Sequence, residues 1–231
     1  MTVGLSLPNR EEFDSAIQNQ PLLRGWIHAV GALWAVAATA VLCWLSADDP
    51  PRLVSMLVYG LSMIAVFGVS ALYHLGSWEP QQHMRLRALD HADIFIAIGG
   101  IYTPFVVNIL SGWERPIILG AIWAQSFAGT LLIAATLRLP RAIYTGFYVS
   151  MGWAAVVALP IFIQKLPAAA IGMVLLALFL YAAGAVVYAL RHPDPFPRVF
   201  GFHEVFHTLV LAAAVADAIA VYLWVVPFPR E

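Results

Sequence analysis

The chain has 231 residues, 61% apolar and only 11% charged, and its mean hydropathy of +0.82 lies far above that of a water-soluble domain. A net charge of −1 with no basic cluster argues against nucleic acid as a partner. A single cysteine, Cys43, rules out an intrachain disulfide.

Residues 1–24 carry Glu11, Glu12 and Asp14 and no apolar core, unlike a cleavable secretory signal, and read as a cytoplasmic tail. Seven apolar stretches follow, at 25–45, 53–75, 92–110, 116–137, 142–163, 168–190 and 201–226. The first is expected to act as an uncleaved insertion signal. Trp26 and Trp44 stand about 27 Å apart along it at 1.5 Å per residue, and could mark the two interfaces. Continuous runs near 20 residues exclude a transmembrane β-barrel, whose strands are shorter and alternate in polarity. The connections 46–52, 111–115 and 164–167 are short enough to make consecutive helices antiparallel neighbours. The run His192-Pro193-Asp194-Pro195-Phe196-Pro197 cannot be helical and reads as the sixth loop. The expected fold is all-α: a polytopic seven-helix bundle over 25–227, with a C-terminal tail at 228–231. What remains outside the spans is divided among two tails and six loops, and no piece reaches the roughly 50 residues of an autonomous domain. Any function must therefore sit within the bundle.

Short cytoplasmic loops retain positive charge, so Arg and Lys orient the bundle. Arg10, Arg24, Arg85, Arg87, Arg138, Arg141, Arg191 and Arg198 fall on the N-terminal side. Arg52, Arg115, Lys165 and Arg230 fall on the other. The bias favours a cytoplasmic N-terminus.

Spans four to six hold no Asp, Glu, Lys, Arg or His. Such groups gather instead as His28 in the first span, His74 in the second, Asp90, His91 and Asp93 at the start of the third, and His203, Glu204, His207 and Asp217 in the seventh. Charge in hydrocarbon is costly unless paired or hydrated, so this uneven distribution points to function. The second span runs outward to inward, which puts Ser70 and His74 near its cytoplasmic end. The third and seventh run the opposite way, which puts Asp90, His203 and His207 near their cytoplasmic starts. All of these residues thus share one depth.

Ser70/His74 and His203/His207 are both i,i+4 pairs, each on one helix face. His203 and His207 are a natural chelating pair for zinc. A third imidazole from His74 would leave the fourth tetrahedral position open to water, as in catalytic sites. Asp90 could hydrogen-bond that water and take its proton, and Ser70 is a candidate second partner. The competing reading is interhelical hydrogen bonding by these side chains, with Ser70 as a small residue in a helix contact. His28, at the same depth, reads as structural rather than as a ligand. Asp93, at i+3 from Asp90, could support or replace it, and His91 points about 100° away. Asp217 lies about 15 Å beyond His207 and reads as a separate polar contact. His83 and His192 read as loop residues.

Together these motifs resemble the progestin and adipoQ receptor family, in its bacterial hemolysin III branch. The resemblance spans almost the whole chain. It rests on Ser70-x3-His74, Leu89-Asp90-His91-Ala92-Asp93, Tyr102-Thr103-Pro104, and His203-Glu204-x2-His207 followed by an Ala-rich span. It implies a seven-helix fold with a cytoplasmic N-terminus, in a bacterial inner membrane. It further implies zinc held by His74, His203 and His207, with Asp90 and Ser70 around a metal-bound water. Relatives such as adiponectin receptors and alkaline ceramidases look like amide hydrolases acting on membrane lipids.

The leading expectation is accordingly a zinc-dependent hydrolase cleaving a lipid amide or ester. The alternatives are a non-enzymatic regulator of membrane homeostasis with structural zinc, or a pore or transporter. The last finds little support in three spans without Asp, Glu, Lys, Arg or His. His203-Glu204-Val205-Phe206-His207 also matches H-E-x-x-H, which would make Glu204 the base of a metalloprotease, but that leaves Asp90 without a task. A retinal protein is dismissed because Lys165, the only lysine, sits in a loop.

Overall fold

The computed structural model describes residues 20–135 and 141–229. Arg10, Glu11, Glu12, Asp14, Arg138 and Arg230, used above to read the tails and the orientation, lie outside the described residues.

The described residues form seven helices and no β-strand. They are α1 (Trp26–Leu45), α2 (Pro50–Leu75), α3 (Pro80–Ile109), α4 (Glu114–Ala135), α5 (Arg141–Lys165), α6 (Ala168–Leu190) and α7 (Phe202–Ala220), the last continued by a π turn (Val221–Val225). Six are long and apolar enough to cross a membrane: α1, α2, α3, α6, the Glu114–Ile133 part of α4, and Phe202–Val225. The chain is an all-helical, multi-pass membrane protein.

The helix ends follow local chemistry. At the start of α2 the Asp49 side chain accepts from the Arg52 N–H at 3.2 Å, and Pro50 and Pro51 occupy positions where a missing N–H costs nothing. The third helix departs from expectation. It begins at Pro80, twelve residues before the apolar span at 92, because Glu79, Pro80 and Gln82 provide a helix start: Gln82 Oε1 accepts from the Glu79 N–H at 3.2 Å. Hydropathy marks where a helix enters lipid, not where it begins. His83 is therefore a first-turn helical residue rather than a loop residue, and its ring lies 4.8 Å from that of Tyr73. His192 does lie in the connection before α7, which has no helix.

Consecutive helices α1–α2, α2–α3, α3–α4 and α6–α7 pack side by side, and α7 also meets α1. The core runs between α2, α3 and α7, with Tyr59, Phe67, Val106, Ile109 and Val221 fully buried. Leu33, Trp44, Leu131 and Phe179 project outward, as lipid-facing side chains must. Trp26 and Trp44 are both exposed near the two ends of α1.

Antiparallel packing puts the start of α1, the end of α2 and the starts of α3 and α7 at one end of the bundle. At the opposite end, Arg52 on α2 reaches Asn108 Oδ1 on α3 at 3.4 Å and the carbonyls of Val226 and Phe228 beyond α7. Asn108 in turn donates to Ser55 Oγ at 2.9 Å and Pro104 O at 2.7 Å. The two bonds from Arg52 to Val226 and Phe228 satisfy carbonyls freed where the last helix ends.

Candidate metal centre

The carboxyl end of α2 and the amino end of α7 bring three imidazoles together. One nitrogen from each of His74, His203 and His207 lies within 4.8 Å of the other two. His203 Nε2 and His74 Nε2 are 3.2 Å apart, with ring centroids 5.0 Å apart at 79°. Ligand nitrogens about 2.0–2.1 Å from a tetrahedral ion stand about 3.3 Å from each other, so this donor pair fits a shared ion. The i,i+4 spacing stacks His203 one turn before His207, and their ring centroids are 4.3 Å apart. The three residues could hold a metal ion.

Asp90 is on α3, its side chain 14% exposed. The buried Ser70 side chain lies close to it, which places the carboxylate near α2 one turn before His74. His91 turns to its own helix, its Nδ1 2.9 Å from Arg87 O, yet the same nitrogen stands 3.8 Å from Asp90 Oδ2, so the two side chains do not diverge as their 100° spacing led one to expect. Both carboxylate oxygens of Asp93 are buried without a partner in hydrogen-bond geometry. Asp217 is buried farther along α7, close to Tyr181 of α6 and apart from the three His.

Two features were not singled out from the sequence as parts of the site. His28 of α1 stacks on His207, ring centroids 3.7 Å apart and planes within 8°. Its signal was its depth, which matches that of the other histidines. Arg24 donates through Nε to Glu204 Oε1, while Glu204 Oε2 accepts from the Gly201 N–H at 2.8 Å. Glu204 is fully buried, and both of its oxygens are engaged. Nothing in the spacing of Arg24 could have paired it with a residue 180 positions away.

Residues 17–217 match the haemolysin-III-related family model. The chain belongs to the haemolysin-III-related family. This haemolysin-III-related protein is 26% identical to the hemolysin-3 homolog of Bacillus subtilis (strain 168), over 87% of its own length and 92% of the relative's. It is 27% identical to hemolysin-3 of Bacillus cereus, over 87% and 89%. It also matches the adiponectin receptor protein of Drosophila melanogaster at 27% identity, over 67% of the chain and 38% of the receptor. The resemblance to the progestin and adipoQ receptor family is thereby borne out.

Proposed function

We propose that this haemolysin-III-related protein is a zinc-dependent hydrolase working inside the membrane on an amide or ester bond of a lipid. The supporting observation is three imidazole nitrogens within 4.8 Å of one another, with Asp90 on the neighbouring helix α3 close to Ser70, one turn before His74. His74, His203 and His207 would hold the ion. Zinc in such a site acts as a Lewis acid that polarises a carbonyl and brings the pKa of water toward about 7.

Asp90 would serve as general base, accepting a proton at a carboxylate oxygen. The Ser70 hydroxyl, close to that carboxylate, would donate to it and aim it. Glu204 is a poor candidate for the same task, since Arg24 and Gly201 already engage its oxygens. In this reading α5 is a seventh span, the Arg-rich end of the bundle is cytoplasmic, and the membrane is a bacterial inner membrane with lipid as the partner. The domain limits follow it: a tail at 1–24, the membrane domain at 25–227 and a tail at 228–231.

A second reading is a regulator of membrane homeostasis in which zinc only joins helices. It draws on the donors coming from α2 and α7, 129 residues apart for His74 and His203. The hemolysin names of the Bacillus relatives bring a pore into view, but the ionisation pattern of spans four to six speaks against it.

One experiment separates these readings. Zinc is measured in the purified protein, and fatty-acid release from a panel of lipid amides and esters is compared for wild type and Asp90→Asn. Zinc at one equivalent with release that Asp90→Asn abolishes supports the hydrolase. Zinc without release from any lipid supports the structural reading, and no zinc refutes both.

A further inference from the structure

Helix α1 supplies none of the three donors, yet its first turn and the residue before it touch both helices that do. Gly25, at φ +86°, lies so close to α2 that a Cβ there would sit 2.9 Å from His74 Cβ. Arg24 binds Glu204, the residue that follows His203. Backbone N–H groups of Leu22 and Leu23 donate to Arg198 O and Val199 O, at 3.1 and 3.2 Å, just before α7. His28 covers one face of His207 and meets Phe67 edge-on, 5.1 Å away at 71°.

Metal-binding imidazoles are usually oriented by a hydrogen bond to the ring nitrogen that does not bind the ion. His207 Nδ1 has no hydrogen-bond partner, and neither ring nitrogen of His28 reaches one in hydrogen-bond geometry. What fixes the His207 ring is therefore contact with a flat face. His28 is not a fourth donor to the same ion. A nitrogen lone pair lies in the plane of its ring, and two stacked rings with centroids 3.7 Å apart and planes within 8° direct their lone pairs along separate, nearly parallel planes.

We propose that the amino-terminal turn of α1 positions the histidine cluster, with the His28 ring as the face that orients His207 and the Arg24–Glu204 pair holding the start of α7 in register beside His74. This rests on the reading of the cluster as a metal centre. His28 is thus a positioning residue. Its contribution is shape and flatness, not a nitrogen.

The test uses the full chain in detergent. Zinc affinity is measured by competition with a chelating dye, and site geometry by the visible absorption of the Co²⁺-loaded protein, for wild type, His28→Leu and His28→Phe. Leu fills the volume without a flat face, whereas Phe keeps the face without nitrogens.

His28→Leu is expected to weaken zinc binding about 10- to 100-fold and to change the Co²⁺ bands. His28→Phe is expected to stay within about threefold of wild type with unchanged bands. Equal losses in both variants would show that a nitrogen matters and overturn the proposal, and so would wild-type behaviour in both. Should His28→Leu fail to fold, His28→Phe alone decides by retaining or altering the Co²⁺ spectrum. Wild-type protein that binds no metal would refute the metal centre itself, an outcome distinct from binding that ignores position 28.

Discussion

Arg24 and Glu204 form an ion pair that ties the segment before α1 to the first turn of α7, with Glu204 fully buried and the Arg24 side chain 17% exposed. Burying one charge without its partner costs several kcal/mol, and the cost depends on whether the survivor can reach water. Arg24→Gln strands the buried carboxylate and should destabilise the protein by about 3 kcal/mol. Glu204→Gln leaves a cation able to turn toward solvent and keeps an acceptor for Gly201, so its cost should be smaller, about 1–2 kcal/mol. Thermal unfolding of the two variants in detergent checks the order. Loss of lipid hydrolysis in Glu204→Gln at unchanged stability would instead mark Glu204 as a base.

Asp90 and Ser70 should separate chemistry from metal retention. Asp90→Asn is expected to keep the ion while lowering lipid turnover by about 10²–10⁴, the usual span for losing a general base. Ser70→Ala removes the hydroxyl that lies close to the carboxylate and should cost about tenfold. Metal content measured beside turnover would expose the opposite case, in which either residue is needed for the ion itself.

Gly60 of α2 packs directly against Thr39 of α1. A Cβ at this position would stand 2.2 Å from Thr39 Oγ1, 2.3 Å from Cγ2 and 2.7 Å from Cβ. The buried, β-branched Thr39 has no rotamer that clears all three, so the helices must move apart. Gly60→Ala should therefore destabilise the bundle by about 1–3 kcal/mol, seen as a lower melting temperature. An unchanged melting curve would contradict this packing.

Arg52 lies about 33 Å along α2 from His74, at the other end of the bundle. Its fork serves Asn108 and the carbonyls of Val226 and Phe228 at once, which a lysine ammonium cannot reproduce. Arg52→Lys should lower stability by about 1–3 kcal/mol and leave bound metal unchanged. Metal loss without destabilisation would show that the two ends of α2 are coupled.

The sequence by itself determined the helical membrane character, the antiparallel order of helices joined by short connections, and the depth shared by His74, Asp90, His203 and His207. These properties follow from hydropathy, loop length and the 3.6-residue period, all of which are local. The start of α3 escaped a hydropathy reading, because Glu79, Pro80 and Gln82 begin a helix in polar sequence that apolarity cannot mark. Only the tertiary structure decided which faces meet. It stacked His28 on His207, joined Arg24 to Glu204 and set Ser70 against Asp90. The rotation of each helix about its own axis decides such contacts, and that rotation is settled by the packing of all its neighbours together.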